Sequence, residues 1–341
     1  MRIKSNKPTI KDIAAMCNVS TQTVSRVINK RHDVAPETRN SVEKAIAQMN
    51  YHPSMLARSL VKQRSNTIGV ILAGLNFLGV SQTLNGIAGE CENSGYTLVV
   101  KELPTFDTPN FLPVIESLIM HQVEGIIFAA PELNDNVNKA QAQLPPSCPP
   151  IIFVKCHPNP SYTTISIDNR GGAYNAVKYL ISIGRKNIAH ITGPLEWLES
   201  RQRKAGWEDA LKEAGRDPQL HYWKEGQWSS SSGEAAFAEL IKKDPGIDAV
   251  FVSNDQMALG VLHYAHTHNI NVPKDLAVIG FDDLSEAPFF TPPLSTTTHP
   301  LRELGSIAVH TLLKQIEGTN SESAHFEVIL PTQLILRGTT P

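Results

Sequence analysis

Thr9-Ile10-Lys11-Asp12-Ile13-Ala14-Ala15-Met16-Cys17-Asn18-Val19-Ser20-Thr21-Gln22-Thr23-Val24-Ser25-Arg26-Val27-Ile28-Asn29 is the stretch on which the reading of this chain turns. Thr9 with Asp12 three residues later is a capping-box helix start. Ile10, Ile13, Ala14 and Cys17 follow at i, i+3, i+4 and i+7, so one helical face is apolar. Asn18 tolerates the left-handed conformation that a tight turn needs. Ser20 caps a second helix whose inward face is Val24, Val27 and Ile28. Thr21, Gln22, Thr23, Ser25, Arg26 and Asn29 are left pointing outward. Short hydrogen-bonding groups on such a helix suit phosphates and base edges, so the expected partner is double-stranded DNA.

The charge distribution agrees. The chain has 341 residues, 41% of them hydrophobic, and a net charge of −2. Residues 1–64 hold twelve Lys/Arg against four Asp/Glu, a balance of +8, so the remainder carries −10. A basic head on an acidic body fits polyanion binding by the head alone. Cysteines 17, 91, 148 and 156 show neither CxxC nor zinc spacing, which predicts reduced thiols and no metal. There is no signal peptide and no apolar run of membrane-spanning length, so a cytoplasmic protein is expected.

A third helix is predicted from Pro36 to about Asn50, with Val42, Ala45, Ile46 and Met49 inward. Pro53 closes the domain. Ser54–Leu60 is too short for a stable helix alone, and Lys62–Asn66 is a polar linker. This segment is either a plain linker or a hinge that folds only on DNA, with Leu60 as a minor-groove wedge. From Thr67 the rhythm becomes strand–helix–strand. Apolar runs at 68–73, 97–101, 125–130, 151–154, 188–192, 249–253 and 276–281 alternate with helical stretches at 80–94, 110–121, 170–183, 199–214, 230–243 and 255–268. Gly95, Gly184 and Gly215 stop helices. The expected fold is a small all-α helix-turn-helix head plus an α/β body of two doubly wound parallel-sheet lobes. Candidate crossings between the lobes lie near 165–168, 292–298 and 326–330. No GxGxxG or P-loop appears, and Gly171-Gly172 fits a tight turn or a ligand contact.

These residues resemble the lac repressor (LacI/GalR) family of transcription regulators over nearly the whole chain. The resemblance rests on Thr9–Ala14 with Ser20–Val27, on Asn50-Tyr51-His52-Pro53 with Leu56–Leu60, and on Gly193-Pro194, Arg201-Gln202-Arg203, Gly206-Trp207, Ser253–Gly260 and Gly280-Phe281-Asp282-Asp283. It implies a body like periplasmic sugar-binding proteins. It also implies a division into a DNA-binding domain (1–53), a hinge helix and linker (54–66) and an effector-binding and dimerisation body (67–341). The two lobes of that body are expected at 67–166 with 298–326 and at 167–297 with 327–341. Thr21, Gln22 and Arg26 would face base edges; Thr9, Ser20, Thr23, Ser25 and Asn29 would hold phosphates; Ala57 and Leu60 would enter the minor groove of a near-palindromic operator. Thr21 is a departure from the family pattern, so the operator itself is not implied.

By the same resemblance a small effector, a carbohydrate or derivative, lies between the lobes. Arg203 is a fork donor for paired hydroxyls or a carboxylate. Asn254 and Asp282 stand just past strand ends, where doubly wound sheets bind ligands. Trp228 and Trp197 offer aromatic faces to a sugar ring. Ordinary packing is the alternative for both tryptophans, and a structural ion pair for Arg203 and Asp282. Lys155 stands where the lac-type pattern carries an acid, and Ala73 and Ala129 where it carries polar residues. Lys155 either pairs with Asp282 or another acid, or meets an acidic or phosphorylated ligand. Sugar, sugar acid and sugar phosphate all remain open.

The chain ends without leucine heptads, so a homodimer is expected, with no cofactor. The leading function is a ligand-responsive repressor whose lobe closure sets the spacing of two hinges. One alternative is a regulator controlled by a phosphorylated protein corepressor. Another is an enzyme with a DNA-binding head, but His121, His157, His190, His263, His266, His268 and His299 form no HExxH, and Ser229–Ser232 no GxSxG.

Overall fold

The computed structural model describes residues 8–51, 64–106, 108–218, 222–318 and 326–341. The chain divides into two compact units, Met1–Ser65 and Asn66–Pro341. In the first, α1 (Ile10–Met16), α2 (Thr21–Ile28) and α3 (Pro36–Gln48) surround one core. The backbone N–H and the hydroxyl of Thr9 both donate to Asp12 Oδ2 at 2.7 Å, which holds that carboxyl below its usual range. Asn18 turns the chain with φ 51°, and Ser20 Oγ accepts from Thr23 N at 3.0 Å. A cap of this kind stabilises by about 1 kcal/mol. Pro36 opens α3, where its missing N–H costs nothing. Ile13, Ala14, Val24, Val27, Val42 and Ala45 are the buried centre. These are positions that the helical spacing assigns inward. The hinge segment 54–60 lies outside the described residues.

The second unit holds two six-stranded sheets. The first is built from β1 (Thr67–Leu72), β2 (Thr97–Glu102), β3 (Gly125–Phe128), β4 (Ile151–Val154), β5 (Thr163–Ile167) and β11 (Glu327–Leu330), ordered β11-β5-β4-β3-β1-β2, with every pair parallel. The second is built from β6 (Ile188–Thr192), β7 (Trp223–Glu225), β8 (Ala249–Val252), β9 (Ala277–Asp282), β10 (Ser295–Thr298) and β12 (Leu334–Ile335), ordered β12-β10-β9-β8-β6-β7. Its strands are parallel except for the β10–β12 pair.

Helices cover both faces of each sheet. In the first lobe, α4 (Leu78–Asn93) and α11 (Leu301–Ile316) pack on one face, α5 (Leu112–Met120) and α6 (Asn136–Ala142) on the other. In the second, α7 (Asn169–Ser182) and α8 (Leu198–Glu213) lie opposite α9 (Ser230–Lys243) and α10 (Asp255–Thr267). Burial on both faces is why the central strands are continuous apolar runs, such as Ala249–Val252, and not alternating ones. The α4–α11 crossing is close: a Cβ on Gly86 would stand 2.0 Å from Arg302 O, and one on Gly305 2.4 Å from Thr83 O.

The chain crosses between lobes after β5, after β10 and after β11. The last crossing corrects the expected boundary at 326/327. Residues 327–330 pair with β5 in the first sheet, and Val328 and Leu330 join that lobe's core. Pro331, lacking an N–H, then ends the strand. The apolar rhythm also does not reveal β5, β7, β10, β11, α6 or α11. β10 is Ser-Thr-Thr-Thr, yet Ser295, Thr296 and Thr297 are almost wholly buried. Hydrogen bonds allow this at two of them: Ser295 Oγ donates to Arg337 O at 3.2 Å, and Thr296 Oγ1 to Asp255 Oδ1 at 2.6 Å, while Thr297 Oγ1 has no partner among the described residues. Among the described residues no helix is long and apolar enough to cross a membrane.

Candidate functional site

Two surfaces carry the chemistry. On the head, Ser20 ends the turn and α2 follows with Thr21, Gln22 and Arg26 exposed, while Val24 and Val27 anchor the opposite face. Among the described residues no hydrogen bond engages the side chains of Thr21 and Gln22. Arg26 Nη1 lies 3.6 Å from Asp33 Oδ2, both groups about half exposed. Thr23 Oγ1 pairs with Ser20 Oγ at 2.9 Å, and Asn29 Nδ2 donates to Ser25 O at 2.9 Å. The expected phosphate-holding hydroxyls therefore also brace the helix ends. Ala57 and Leu60, the expected minor-groove residues, lie outside the described residues.

The second surface is a cleft in the body. Lys155, Trp197, Arg203, Trp228, Asn254 and Asp282 all line it. Their elements explain the meeting. Lys155 follows β4, Asn254 follows β8, Asp282 ends β9, and Trp197 and Trp228 lie between the ends of β6 and β7 and the helices after them. The carboxyl ends of the strands in both sheets thus face one space, the usual ligand position in this architecture. Lys155, Trp228 and Asp282 have φ of 58°, 62° and 113°, values that side chains rarely adopt. Such strain clusters where surrounding structure holds a side chain in place for a purpose.

An aromatic wall lines one side. Trp197 packs on Phe77 and Phe106 with centroids 5.1 Å away in each case, and on Trp228 at 5.7 Å. A Cβ on Gly193 would lie 2.2 Å from the Trp228 ring, so only glycine lets the indole settle there. Trp228 Nε1 is buried without a hydrogen-bond partner among the described residues.

Arg203 is buried, and two of its three nitrogens donate to protein oxygens. Nε donates to Asn169 Oδ1 at 2.9 Å, Nη1 donates to Ser253 O, and Nη2 lies 3.4 Å from His299 Nδ1. The guanidinium lies over the Phe281 ring, 3.8 Å from its centroid, and Nη1 is 3.7 Å from Asp282 Oδ1. Burial pulls its pKa down, and Asp282 and Glu199 oppose that. Asn254 is similarly occupied, capping α10 through Met257 N at 2.8 Å and holding Trp228 O at 3.1 Å. Of the two readings of Arg203 and Asp282, the ion pair is present. Lys155 does not pair with Asp282: its charge is supported by Glu199 instead, while burial opposes it.

Sequence reasoning missed the titratable lining residues Glu199 and His299, and also Phe77, Leu78, Gly79, Gln256 and Leu301. His299 Nδ1 donates to Asp282 Oδ1 at 3.0 Å, and burial keeps the ring neutral. Glu199 is 5% exposed, and its Oε2 has no hydrogen-bond partner among the described residues. The available signal for His299 is its place just past β10, as Asp282 ends β9. Among the described residues no cluster of His, Cys, Asp or Glu is arranged to hold a metal.

Residues 9–54 match the model of the bacterial regulatory proteins of the lacI family, and residues 157–340 match the periplasmic binding protein-like domain. The HTH-type transcriptional repressor PurR of Vibrio atlanticus is 33% identical over 324 residues, covering 94% of this chain and 95% of that protein. The ribose operon repressor of Escherichia coli is 34% identical over 310 residues, covering 90% and 93%. The lac repressor dimer bound to operator and the anti-inducer ONPF superposes with a TM-score of 0.86 at 30% identity, covering 98% of this chain and 99% of that one.

Proposed function

Because the chain belongs to the lacI family of bacterial regulatory proteins, it is a DNA-binding transcriptional regulator controlled by a small molecule, and we propose that it acts in the cytoplasm, through the residues described above, as a repressor. It binds operator DNA as a dimer. Thr21, Gln22 and Arg26 read base edges, Arg26 through the bidentate contact that a guanidinium makes with guanine. Thr9, Ser20, Thr23, Ser25 and Asn29 hold phosphates, and Ala57 and Leu60 act at the minor groove.

The observation that carries the control reading is the cleft, where polar groups from both sheets converge beside two tryptophans. Trp197 and Trp228 hold the apolar face of a carbohydrate or a derivative, while Lys155 and Asp282 meet its polar groups. Arg203 and Asn254 keep the cleft in shape. An effector shifts DNA affinity by preferring one arrangement of the lobes, a coupling of about 1–3 kcal/mol.

In vitro selection from random duplexes, followed by footprinting, tests the first half. A near-palindromic site that Arg26→Ala loses supports it, and selection of no sequence overturns it. A thermal-shift screen of sugars on the purified protein tests the second half. A compound that stabilises the protein and changes operator affinity supports the cleft as the control site. Operator binding that responds only to a phosphorylated carrier protein favours a protein corepressor.

A further inference from the structure

Given an effector in this cleft, as proposed above, the groups left free decide its charge. Arg203 and Asn254 are used inside the protein. The remainder are the Lys155 ammonium, Glu199 Oε2, His299 Nε2 and Trp228 Nε1. The last three are buried with no hydrogen-bond partner among the described residues. Leaving such atoms unpaired is costly, and a ligand that pairs them recovers that cost. Lys155, Glu199 and His299 also share a small second pocket adjoining the cleft, so they surround one corner of it.

The charges in that corner cancel. Lys155 and Glu199 bear side chains of opposite charge type and are each 5% exposed. Burial lowers the Lys155 pKa and Glu199 works against that, yet among the described residues the two form no ion pair. The neighbouring Arg203 and Asp282 already form a pair, and His299 is neutral. An anionic ligand would therefore add a net negative charge to a desolvated site, where an unbalanced charge is costly. A hydroxyl adds none. It donates to Glu199 or His299 Nε2 and accepts from Lys155, filling the space between the separated charges.

We propose that Lys155, Glu199 and His299 form a charge-balanced polar corner that selects an uncharged, hydroxyl-bearing sugar or glycoside over the corresponding sugar acid or sugar phosphate. Glu199 and His299 are then specificity-determining residues, and Lys155 recognises a hydroxyl instead of a negative charge.

Calorimetric titration of the full-length protein decides this. The probes are glucose, galactose, ribose, cellobiose and lactose, beside glucuronate, galacturonate, glucose 6-phosphate and glucosamine. The wild type should bind a neutral member, with charged counterparts weaker by roughly tenfold or more. Glu199→Gln, which keeps the side-chain shape, leaves Lys155 uncompensated. It should weaken the neutral sugar and move preference toward the uronate. Lys155→Met should move preference the opposite way, toward the amino sugar, so one poorly folding variant does not remove the test. Wild-type preference for a uronate or phosphate overturns the assignment while leaving the effector reading intact, as does an unchanged ranking in both variants. Binding by none of the probes, charged or neutral, overturns the effector reading and the assignment together.

Discussion

The Arg203 guanidinium lies over the Phe281 ring with 3.8 Å between its central carbon and the ring centroid, and its Nε and Nη1 donate to Asn169 Oδ1 and Ser253 O. An arginine held this way joins strands and helices of one lobe before any ligand arrives. Arg203→Ala should lower the stability of the ligand-free body by about 3–5 kcal/mol, as expected for one partner removed from a buried charged network. Arg203→Lys should also destabilise, because an ammonium cannot reproduce the planar fork. Calorimetric melting without ligand measures both. Unchanged melting would show that the arginine serves ligand binding alone.

Gly193→Ala places a methyl group where the Trp228 ring stands. The indole must move, so tryptophan fluorescence should change and affinity for the effector should fall by roughly tenfold or more, about 1.4 kcal/mol. Operator binding without effector should survive, since the head is untouched.

Asp255 is buried beneath Leu284 N and Thr296 Oγ1, which donate to it at 2.8 and 2.6 Å. Burial, followed by the nearby Asp282, raises its pKa from 3.8 to about 8. The folded state therefore holds this proton where the unfolded chain has released it. The contribution to stability is full below 3.8 and is lost as pH rises toward 8. Asp255→Asn, which cannot ionise, should remove this part of the decline in melting temperature between about pH 4 and 8. An identical slope in variant and wild type sinks the assignment.

His190 behaves in the opposite sense. It is stacked between Trp207 and Phe251, donates through Nδ1 to Phe251 O at 2.9 Å, and has a pKa lowered by burial to about 3. Its stabilising contribution is complete above the ordinary value of 6.5 and is lost as pH falls toward 3. His190→Phe keeps the stacking and should flatten the acid limb of stability between about pH 6 and 4. Denaturant titrations at both values read the difference.

Asp33 lies 3.6 Å from Arg26 on an exposed face of the head. Exposed pairs of this kind stabilise by about 0–1 kcal/mol, so Asp33→Ala should barely change melting. It should tighten operator binding by freeing Arg26 and removing a negative charge near phosphate. Arg26→Ala should weaken operator binding by about 1–3 kcal/mol and relax specificity at one base pair. Binding measured at fixed salt on the selected operator and on a substituted one separates the two effects.

Much of the cleft is legible because loop residues after apolar strands are easy to find. Lys155, Asn254 and Asp282 each follow or end such a run, and all line the cleft. Glu199 and His299 are not legible for physical reasons. An acid at a helix start looks like ordinary compensation of the helix dipole, which explains Glu199 in the first turn of α8. His299 follows a strand of four hydroxyl residues, and a strand buried through side-chain hydrogen bonds carries no apolar pattern.

Caps, turns and apolar spacing act over a few residues, so the helix-turn-helix and the alternation of strand and helix can be read from the chain alone. Which lobe receives residues 327–330, and which polar groups of the cleft are already used, follow from the folded arrangement. Strand pairing and hydrogen-bond satisfaction join residues distant in the chain, such as Arg203 with Ser253 and Thr164 with Glu327. Local spacing holds no record of such partners. They are chosen by the burial of each group and by what lies opposite it once the sheets have formed.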